Sequence, residues 1–426
     1  MPHDSHFLKR NLILNIISHL GPISRTELIN LTDYRPASVS AIIKELLDER
    51  LIVETGLTSG GCGRKRVLLE INKAHLCAIG LAFYTGFVTF LVAQIDGTVL
   101  HRENVPVRPG MPKETLIEQI VDRTGQLLRI YQDKNIVGIG IGEPLYDPTS
   151  YRPEYSFLTN YLHYNDWVKL SLKPRLEQFS GLRVETYSGV VLPAMVERHY
   201  GAAKGVDNFI CVELSNGIGS SLCLNGIPVS GATGRAGELG HTVIDHGNTA
   251  QKLCFCGKTG CVEVQTAYPA LKTQLSAAME QGVFSSLSSH IDPEHGITVD
   301  AIRHALDEGD RMCMHYVKAI SQKLGVVIAN AVNLLNPQLV VLYGFMTDLG
   351  SYFLQQLEMA IRENTLSAAC DFELRTSPHL EKNLPLGAVA EIFSSYLRTD
   401  DYKWVYQLQP SDLENNNNSI ETGERV

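Results

Sequence analysis

The sequence predicts an α/β protein in which a small, mainly helical N-terminal module precedes a larger region of alternating strands and helices. Three observations support this prediction. Apolar residues recur at helical spacing within the first fifty residues. From about Cys77 onward, short apolar runs alternate with longer amphipathic stretches, as in a mixed sheet covered by helices. The chain has 426 residues, which is enough for two or three domains of ordinary size.

The composition is that of a globular protein and excludes several other classes. Hydrophobic residues make up 44% and charged residues 19%, which excludes a wholly disordered or collagen-like chain. Nine cysteines are too few for a disulfide scaffold of this length. No apolar run reaches the roughly 18 residues of a membrane span, and the N-terminus lacks a signal-peptide cleavage pattern. We therefore expect a cytoplasmic protein with reduced thiols and no membrane insertion.

Charge is unevenly distributed along the chain, whose formal net charge is −9. Residues 1–75 carry ten Lys and Arg against eight Asp and Glu, whereas the rest carries 27 against 38. An acidic chain of this kind does not coat nucleic acid non-specifically. One mildly basic N-terminal module is nevertheless compatible with DNA binding, because local charge matters more than the total.

The N-terminal residues are predicted to form three helices followed by a hairpin. Residues 8–20 place apolar side chains on one helix face, and a Gly-Pro pair ends that helix. Ser24 and Glu27 match a capping box at the start of a second helix. Pro36 suits the first position of a third helix. The segments LIVET and VLLEIN then read as two strands joined by a Gly-rich, basic loop over residues 56–66.

This order of elements is typical of a winged helix-turn-helix, in which the third helix enters the major groove of double-stranded DNA. The basic loop would be the wing and would reach phosphates or an adjacent minor groove. Small helical modules also bind proteins, so a protein-interaction module with a solvated loop is the alternative. The candidate DNA-binding residues are Arg35, Ser38, Ser40 and Lys44 around the third helix and Arg64, Lys65 and Arg66 in the wing.

The rest of the chain is predicted to contain two α/β halves. Strand-like apolar runs occur at 77–83, 87–95, 136–142, 182–186, 208–214, 219–224 and 338–343. Helical stretches occur at 114–131, 166–178, 189–200, 264–280, 298–307 and 311–335. The polar segment after residue 400 contains four consecutive asparagines, and we expect much of it to be disordered.

A cysteine cluster in the second half has the composition of a zinc site. Cys254, Cys256 and Cys261 lie within eight residues of one another, and His241 lies thirteen residues upstream of the first. Three thiolates and one imidazole form a ligand set that tetrahedral zinc prefers, and a closed set of four implies a structural role. The alternatives are idle thiols in a reducing compartment, or His246 as the fourth ligand.

These motifs resemble one family, the ROK family (repressors, open reading frames, kinases). The segment LSNGIGSSLCLNGIPVSGATGRAGELGH, residues 214–241, resembles the family signature at nearly every position. Ser221 is the exception, since Gly or Ala is usual there. The CFCGKTGC cluster and the following Glu263 resemble the zinc loop and its glutamate. The resemblance covers about residues 75–395, and the repressor branch of the family carries a winged helix ahead of that region.

The resemblance implies a two-lobed, actin-like (ribonuclease H-like) ATPase-type fold, a structural zinc, and assembly as a homodimer or homotetramer. It also implies that the chain is divided into three parts. Residues 1–73 would be a winged helix-turn-helix DNA-binding domain, and residues 74–398 would be a ROK-type effector-binding and oligomerisation domain. Residues 399–426 would be a partly disordered tail.

The phosphoryl-transfer residues of the family's sugar kinases are missing. Ala82 stands at the aspartate of the first phosphate loop, and Tyr84 replaces a glycine where the backbone must approach the phosphates. Thr186 and Tyr187 stand at the Asn-Asp pair that holds the catalytic base, and tyrosine is a poor base at neutral pH. Tyr343 replaces the first glycine of a later Gly-Gly pair. We therefore expect that the chain is not an enzyme.

The sugar-binding residues are partly retained. Glu238, His241 and Glu263 match residues with which the family's kinases hold sugar hydroxyls. His241 would place one ring nitrogen on zinc and the other towards the ligand. Thr186, as a hydrogen-bond partner, and Tyr187, stacking on a sugar face, would complete the effector site. The alternative is that Glu238 and Glu263 only support the zinc loop.

The sequence as a whole predicts a transcriptional regulator, most simply a repressor, of carbohydrate-metabolism genes. A double-stranded DNA operator and a sugar or sugar-phosphate effector would be its partners, and effector binding would act by shifting a conformational population. Two alternatives remain from the sequence: a divergent ATP-dependent sugar kinase, and a repressor controlled by a protein partner such as a sugar-transporter component.

Overall fold

The fold is described by a computed structural model over residues 5–57, 66–84, 86–108, 111–143, 172–245, 253–254, 256–369, 371–378 and 380–397. The predicted wing residues Arg64 and Lys65, the alternative ligand His246 and the predicted tail lie outside these residues. Within the ranges given, no helix is both long and apolar enough to cross a membrane.

The N-terminal module, here called the head (residues 5–71), contains three helices and a small sheet. Its elements are α1 (Ser5–Leu20), β1 (Ile23–Ser24), α2 (Arg25–Thr32), α3 (Pro36–Asp48), β2 (Ile52–Leu57) and β3 (Val67–Ile71). The capping box is confirmed, because Ser24 Oγ accepts from the Glu27 amide and Glu27 Oε2 accepts from the Ser24 amide.

The predicted hairpin is confirmed, because β2 and β3 pair antiparallel. The sheet has a third strand that the sequence pattern missed, since β1 pairs antiparallel with β3 in the order β1-β3-β2. The cap position of a helix is extended, so Ser24 already has strand geometry where α2 begins. Ile23 is fully buried beside it, which anchors this short strand in the core of the head.

The first lobe is built on a five-stranded sheet in the order β6-β5-β4-β7-β8. Strands β4 to β6 are antiparallel to one another, and β4, β7 and β8 are parallel. One sheet face carries a cluster of apolar side chains shared with α4 and α5. The elements are β4 (Leu76–Tyr84), β5 (Phe87–Gln94), β6 (Val99–Pro106), α4 (Lys113–Ile130), β7 (Asn135–Glu143), α5 (Leu172–Ser180) and β8 (Val184–Ser188).

The second lobe has a sheet in the order β11-β10-β9-β12-β13. The connecting helix is α6 (Leu192–Tyr200), and the strands are β9 (Phe209–Leu214), β10 (Ile218–Leu224), β11 (Ile227–Pro228), β12 (Leu339–Tyr343) and β13 (Glu373–Thr376). Its helices are α7 (Glu263–Thr266), α8 (Tyr268–Glu280), α9 (Val299–Asp307), α10 (Arg311–Leu335) and α11 (Ser351–Asn364). This pair of mixed α/β sheets is the predicted two-lobed arrangement.

A last helix, α12 (Leu384–Leu397), returns to the first lobe and packs on the sheet face opposite α4. Glycines on the strands make this approach possible. A Cβ atom at Gly80 would lie 2.2 Å from the Pro385 carbonyl oxygen, and one at Gly140 would lie 2.5 Å from that of Ala388. The glycines of the apolar runs are therefore where the backbone of α12 rests on the sheet.

The local sequence pattern does not reveal some elements and merges others. It leaves β6, β13, α11 and α12 unassigned, and the helix predicted over 264–280 is two helices, separated at the extended Ala267. Strand β6 reads VLHRENVP and is largely exposed, so it has no apolar run to detect. Helix α12 reads LPLGAVAEIFSSYL and is apolar on most sides, so it lacks the one-sided pattern of a surface helix.

Ser221, the exception to the family signature, joins two elements. It lies on β10 with its side chain buried, and its Oγ accepts a hydrogen bond from the amide of Ala194 at 3.1 Å. Ala194 is the third residue of α6, where an amide has no partner within its own helix. Ser221 therefore acts as a cap for α6 supplied from a strand of the second lobe.

Ser221→Ala is expected to lower the free energy of unfolding by about 1–2 kcal/mol, because the buried amide of Ala194 loses its acceptor. Urea unfolding measures this change, and hydrogen exchange at the Ala194 amide should accelerate in the variant. Ser40→Ala is the control, because it removes an exposed hydroxyl from α3. Equal stability and equal exchange in the Ser221 variant would contradict the cap.

Candidate effector cleft, metal site and nucleic-acid interface

The predicted zinc ligands converge in space. The ligand atoms of His241, Cys254, Cys256 and Cys261 all lie within 4.8 Å of one another. Cys254 Sγ is 3.5 Å from His241 Nδ1, and Cys256 Sγ is 3.6 Å from Cys261 Sγ. Short bridges close the loop, since Val243 pairs with Cys261 and Leu253 pairs with Thr259. The four residues thus form one compact cluster, as their spacing indicated.

The chemistry of this cluster fits a tetrahedral metal ion. Cys254 and Cys261 are fully buried, and burial together with the neighbouring Cys256 thiol raises the pKa of Cys261 to about 11. Such thiols do not ionise together without a cation to compensate them. Gly260 has φ 82°, and a Cβ there would lie 2.0 Å from the Asp245 carbonyl oxygen, so the loop can close tightly only with glycine.

His241 connects the cluster to two carboxylates. Its Nδ1 faces the cysteines, whereas its Nε2 lies 3.7 Å from Glu238 Oε2. Glu263 Oε2 accepts a hydrogen bond of 3.0 Å from the Ile218 amide. Burial raises the pKa of Glu263, and the Glu238 carboxylate adds to that rise, while the Ile218 amide and His241 oppose it. Three of the five predicted effector residues therefore lie together beside the metal site.

The other two predicted effector residues lie on β8. Thr186 is exposed and Tyr187 is half-buried, opposite Ile141 and Gly142 of β7 in the sheet register. At the end of the same strand, Ser188 Oγ donates to the Gly234 carbonyl at 3.1 Å. This bond attaches β8 of the first lobe to the loop that leads into Glu238 in the second lobe.

The positions that bind nucleotide in the sugar kinases are occupied by aromatic side chains. Tyr84 stacks on Phe87 across the first hairpin, with ring centroids 5.0 Å apart and an interplanar angle of 16°. Tyr343 is 3% exposed, and its hydroxyl donates to Glu213 Oε2 at 3.3 Å. Ala82, at the aspartate position, is buried in the sheet. Tyr84 and Tyr343 are the last residues of β4 and β12, so a bulky ring stands at the carboxyl end of each strand.

The head presents part of the predicted DNA-binding set on one surface. Arg35, Ser40 and Lys44 are exposed on or just before α3, while Ser38 is half-buried. Arg66 is exposed just before β3. The opposite face of α3 is buried in the head through Val39, Ile42, Ile43 and Leu46. The helix is thus held firmly by its apolar face and leaves its polar face to solvent.

Ion pairs fix α3 against α1. Arg10 Nε lies 2.8 Å from Glu45, and its guanidinium also contacts Glu49, so one arginine of α1 binds both the last turn of α3 and the residue that follows the helix. The guanidinium is largely covered, which favours this pairing over a solvent-exposed one. The orientation of α3 therefore follows the position of α1.

The sequence profile of the ROK family matches residues 85–392, which is more than half of the chain. The chain belongs to the ROK family. The xylose repressor of Caldicellulosiruptor bescii is 28% identical over 399 residues, covering 93% of this chain and 98% of the repressor. The crystal structure of a ROK family transcriptional regulator, described as a homologue of the Escherichia coli Mlc protein, covers 92% of this chain and 98% of its own, with a TM-score of 0.75 and 25% identity.

ROK-family kinases share the fold of the two lobes but extend over less of the chain. A glucokinase from Streptomyces griseus, solved with glucose and AMPPNP, matches 74% of this chain and 98% of its own, with a TM-score of 0.55 and 22% identity. That likeness concerns the fold alone. The repressor and regulator, by contrast, match more than nine-tenths of the chain.

Two residues of this ROK protein were missed by sequence reasoning. Ser188, which joins β8 to Gly234, follows Thr186 and Tyr187 directly, and a polar residue at a strand end was the available signal. Asn15 interrupts the apolar stretch LILNIISHL, is 2% exposed, and donates from Nδ2 to the Leu397 carbonyl at 2.6 Å. A lone buried polar side chain needs a partner, and here that partner is at the end of α12.

Proposed function

We propose that this chain is a DNA-binding transcriptional repressor of carbohydrate-metabolism genes that responds to a sugar or sugar phosphate and has no kinase activity. The observation that carries the proposal is the combination of the head with the two lobes. The head exposes Arg35, Ser40 and Lys44 on a helix held by its other face. The lobes keep Glu238 and Glu263, whereas positions 82 and 187 carry alanine and tyrosine in place of a carboxylate.

The DNA-binding domain is proposed to span residues 1–73, ahead of the ROK domain at 74–398 and a tail at 399–426. In this arrangement α3 enters the major groove of an operator half-site, with Arg35, Ser38, Ser40 and Lys44 facing base edges. Arg64, Lys65 and Arg66 would contact the phosphates or the minor groove beside it. Operators for such heads contain two half-sites, which are read by two copies of the chain.

Zinc is the metal we propose for the cluster of His241, Cys254, Cys256 and Cys261. Four soft, closely spaced ligands with no place left for water suit a structural zinc. When bound, zinc supplies positive charge that stabilises three thiolates. Metal binding through Nδ1 would fix the ring of His241, and its Nε2 would then remain directed towards Glu238 and the cleft.

The effector site is proposed to lie between β8 and the metal loop. Glu238, Glu263 and His241 would accept and donate hydrogen bonds to sugar hydroxyls, since each carboxylate accepts more than one. Thr186 would add a hydrogen bond, and the ring of Tyr187 would pack on the sugar face. Position 82 is alanine and position 187 is tyrosine, so no carboxylate at either place can bind phosphate-bound metal or deprotonate the sugar.

Helix α12 would carry the effector signal from the cleft to the head. At its N-terminal end, a Cβ at Gly387 would lie 2.6 Å from the Leu192 carbonyl, so α12 rests on the first turn of α6, just after β8. At its C-terminal end, the Leu397 carbonyl accepts from Asn15 of α1. A ligand that shifts β8 and α6 would therefore move α12 against the head.

The head end of this route reaches the recognition helix. Tyr396 of α12 is hydrogen-bonded to Arg10, while burial raises its pKa. Arg10 in turn binds Glu45 of α3 and Glu49, the residue just after that helix. The protein would have two conformations that differ in the position of α12. A ligand with different affinities for these two conformations would change the free energy of DNA binding by the coupling free energy, typically 1–3 kcal/mol.

The test combines DNA selection with a ligand screen on the purified full chain. A random duplex pool should yield an enriched operator with two half-sites. A thermal-shift screen of sugars and sugar phosphates, with and without ATP, should find a ligand that raises the melting temperature independently of ATP. That ligand should weaken binding to the enriched duplex. Glu238→Gln should abolish the sugar shift but not DNA binding, whereas exposed Glu294→Gln should change neither.

Three results would count against the proposal. Failure to enrich any duplex would remove the DNA-binding function. Sugar-dependent release of ADP from ATP would indicate the divergent kinase instead. Operator binding that no sugar changes, but that a captured sugar-transporter component abolishes, would indicate the repressor controlled by a protein partner.

A further inference from the structure

Two segments of the chain cross between the lobes, and both lie beside one buried carboxylate. The first crossing follows β8 of the first lobe, contains α6 and leads into β9 of the second lobe. The second crossing begins at Ser377, directly after β13, and leads back to α12 on the first lobe. Glu197 lies in the last turn of α6 and is 1% exposed. A fully buried acid at such a crossing needs an explanation beyond the packing of either lobe.

Both carboxylate oxygens of Glu197 accept hydrogen bonds. Oε2 accepts from the Ala202 amide at 2.6 Å, and Oε1 accepts from Ser377 Oγ at 2.6 Å. The first bond closes the turn that follows α6, and the second bond reaches the other crossing. One side chain thus joins two segments that are 180 residues apart in the chain.

Both residues that donate to Glu197 are attached to the sheet of the second lobe. The Ser377 amide donates to the Leu342 carbonyl of β12 at 2.9 Å, so this residue continues the pairing beyond the end of β13. The Ala202 carbonyl accepts a hydrogen bond from the Arg375 guanidinium of β13. The end of α6, the turn after it and the start of the second crossing are therefore joined to one another and to the second lobe.

The same turn of α6 also contacts the first lobe. The Tyr200 hydroxyl donates to the Ile95 carbonyl, just after β5, at 3.4 Å. The Tyr200 ring lies over Gly97, where a Cβ would be 2.5 Å from Tyr200 Cδ1. At its other end, α6 touches α12 through the contact of Leu192 with Gly387. A rotation of one lobe against the other must therefore act on this helix.

A carboxylate at this place is unfavourable if only stability is considered. Glu197 lies at the C-terminal end of α6, where the helix dipole disfavours negative charge. Within the residues that the structure describes, no basic side chain is paired with it, and the adjacent Arg198 is directed to Asp207 instead. A buried carboxylate without a cation costs desolvation free energy even when neutral donors bind it. The contact between the two crossings gives a reason for this residue that packing does not.

We propose that Glu197 is the positioning residue of a hinge between the lobes, which holds the two crossings together so that they move as one unit. A ligand that shifts β8 and α6 then moves the second crossing and α12 with them. The consequence for DNA binding rests on the proposed function, whereas the hinge itself does not. Without the bond to Ser377, α6 and the second crossing would move separately, and the head would respond less to the cleft.

Ser377→Ala tests the proposal in the full chain, because it removes the bond between the crossings and leaves the acid in place. Hydrogen exchange followed by mass spectrometry is the measurement. The Ala202 amide, far from the substitution in the chain, should exchange about tenfold faster, because a carboxylate released from Ser377 no longer holds this turn in place. The amide of Leu357, a buried residue of α11 in the second lobe, should keep its exchange rate.

Two variants serve as matched controls. Ser377→Thr keeps the hydroxyl and should restore the wild-type exchange rate at Ala202. Thr376→Ala removes an exposed hydroxyl from the preceding residue and should leave that rate unchanged. Glu197→Ala loses both bonds and should accelerate exchange more than Ser377→Ala does. If Glu197→Ala does not fold, the Ser377 variants still decide the question.

Faster exchange in Ser377→Ala that is confined to the neighbours of residue 377, or equal exchange throughout, would overturn the proposal. Failure of the proposed function is separate from this result. Joint acceleration at both crossings in a protein that enriches no duplex would refute DNA binding alone. If both proposals hold, Ser377→Ala should bind the enriched duplex and the sugar found in the thermal-shift screen as the wild type does. That sugar should then change its affinity for the duplex by less than about twofold, because the coupling between the two sites is lost.

Discussion

Cys256→Ser is expected to reduce the zinc content of the purified protein from about one ion per chain to near zero and to lower its melting temperature by about 10 °C or more. Cys256 supplies one of four ligand atoms that lie within 4.8 Å of one another. A bound metal ion would contribute directly to the free energy of folding, because its charge would stabilise the clustered thiolates. Elemental analysis and a thermal melt measure the two effects.

The matched control for this prediction is Cys223→Ser, which changes a buried cysteine outside the cluster. It should keep the full zinc content even if its stability falls. Treatment of the wild type with a strong chelator should reproduce the melting temperature of the Cys256 variant. Unchanged zinc and unchanged melting in Cys256→Ser would show that the four residues do not hold a metal.

Arg35→Ala and Lys44→Ala are each expected to weaken binding to the selected operator by about 10- to 100-fold. Each change would remove one direct contact to a base, or a contact of similar strength, and this is the usual size of that loss. Both side chains are exposed, Lys44 on α3 opposite its buried apolar residues and Arg35 at the position just before that helix, so neither change should affect folding. Fluorescence anisotropy with a labelled duplex, at a stated salt concentration, measures the affinity.

The wing should behave differently from the helix. Arg66→Ala should weaken specific and non-specific duplexes about equally and make binding less dependent on salt, because a phosphate contact carries no sequence information. Arg129→Ala, an exposed arginine of α4 in the first lobe, is the control and should leave DNA binding unchanged. Equal affinity of wild type, Arg35→Ala and Lys44→Ala would exclude α3 as the recognition helix.

Local patterns predicted the elements with strong local signals. The capping box at Ser24 and Glu27 predicted the start of α2, since two residues three apart satisfy each other's backbone amides. Apolar runs predicted β4, β5, β7, β9 and β12 because their side chains are buried on both faces. The metal cluster was predictable for a similarly local reason. Cys254, Cys256 and Cys261 are close in the chain, and clustered thiols are typical metal ligands.

Elements that depend on tertiary contacts and have no local sequence pattern were not predictable in this way. Strand β6 is held by pairing with β5, and its side chains show no apolar run. The role of α12 could not be predicted from its sequence, because that role depends on contacts with residues far away in the chain, such as Asn15. Ser221 was noticed only as an exception, and its bond to Ala194 gives the reason why a hydroxyl is useful there.

The identities of a few residues set the chemistry that is open to this protein. The sequence places three thiols and an imidazole within metal-ligand spacing, keeps the carboxyl groups of Glu238 and Glu263, and lacks a carboxylate at positions 82 and 187. Residue identity decides what can ionise, coordinate or donate, and folding cannot supply a missing group.

Folding of the chain sets which of these groups lie close enough to act together. It turns His241 so that Nδ1 faces the cysteines and Nε2 faces Glu238, and it joins β8 through Ser188 and Gly234 to the loop that leads into Glu238. It also brings the end of α12 to α1. Such contacts join residues far apart in the chain, and their free energy comes from burial and pairing in the folded state, which local sequence patterns do not encode.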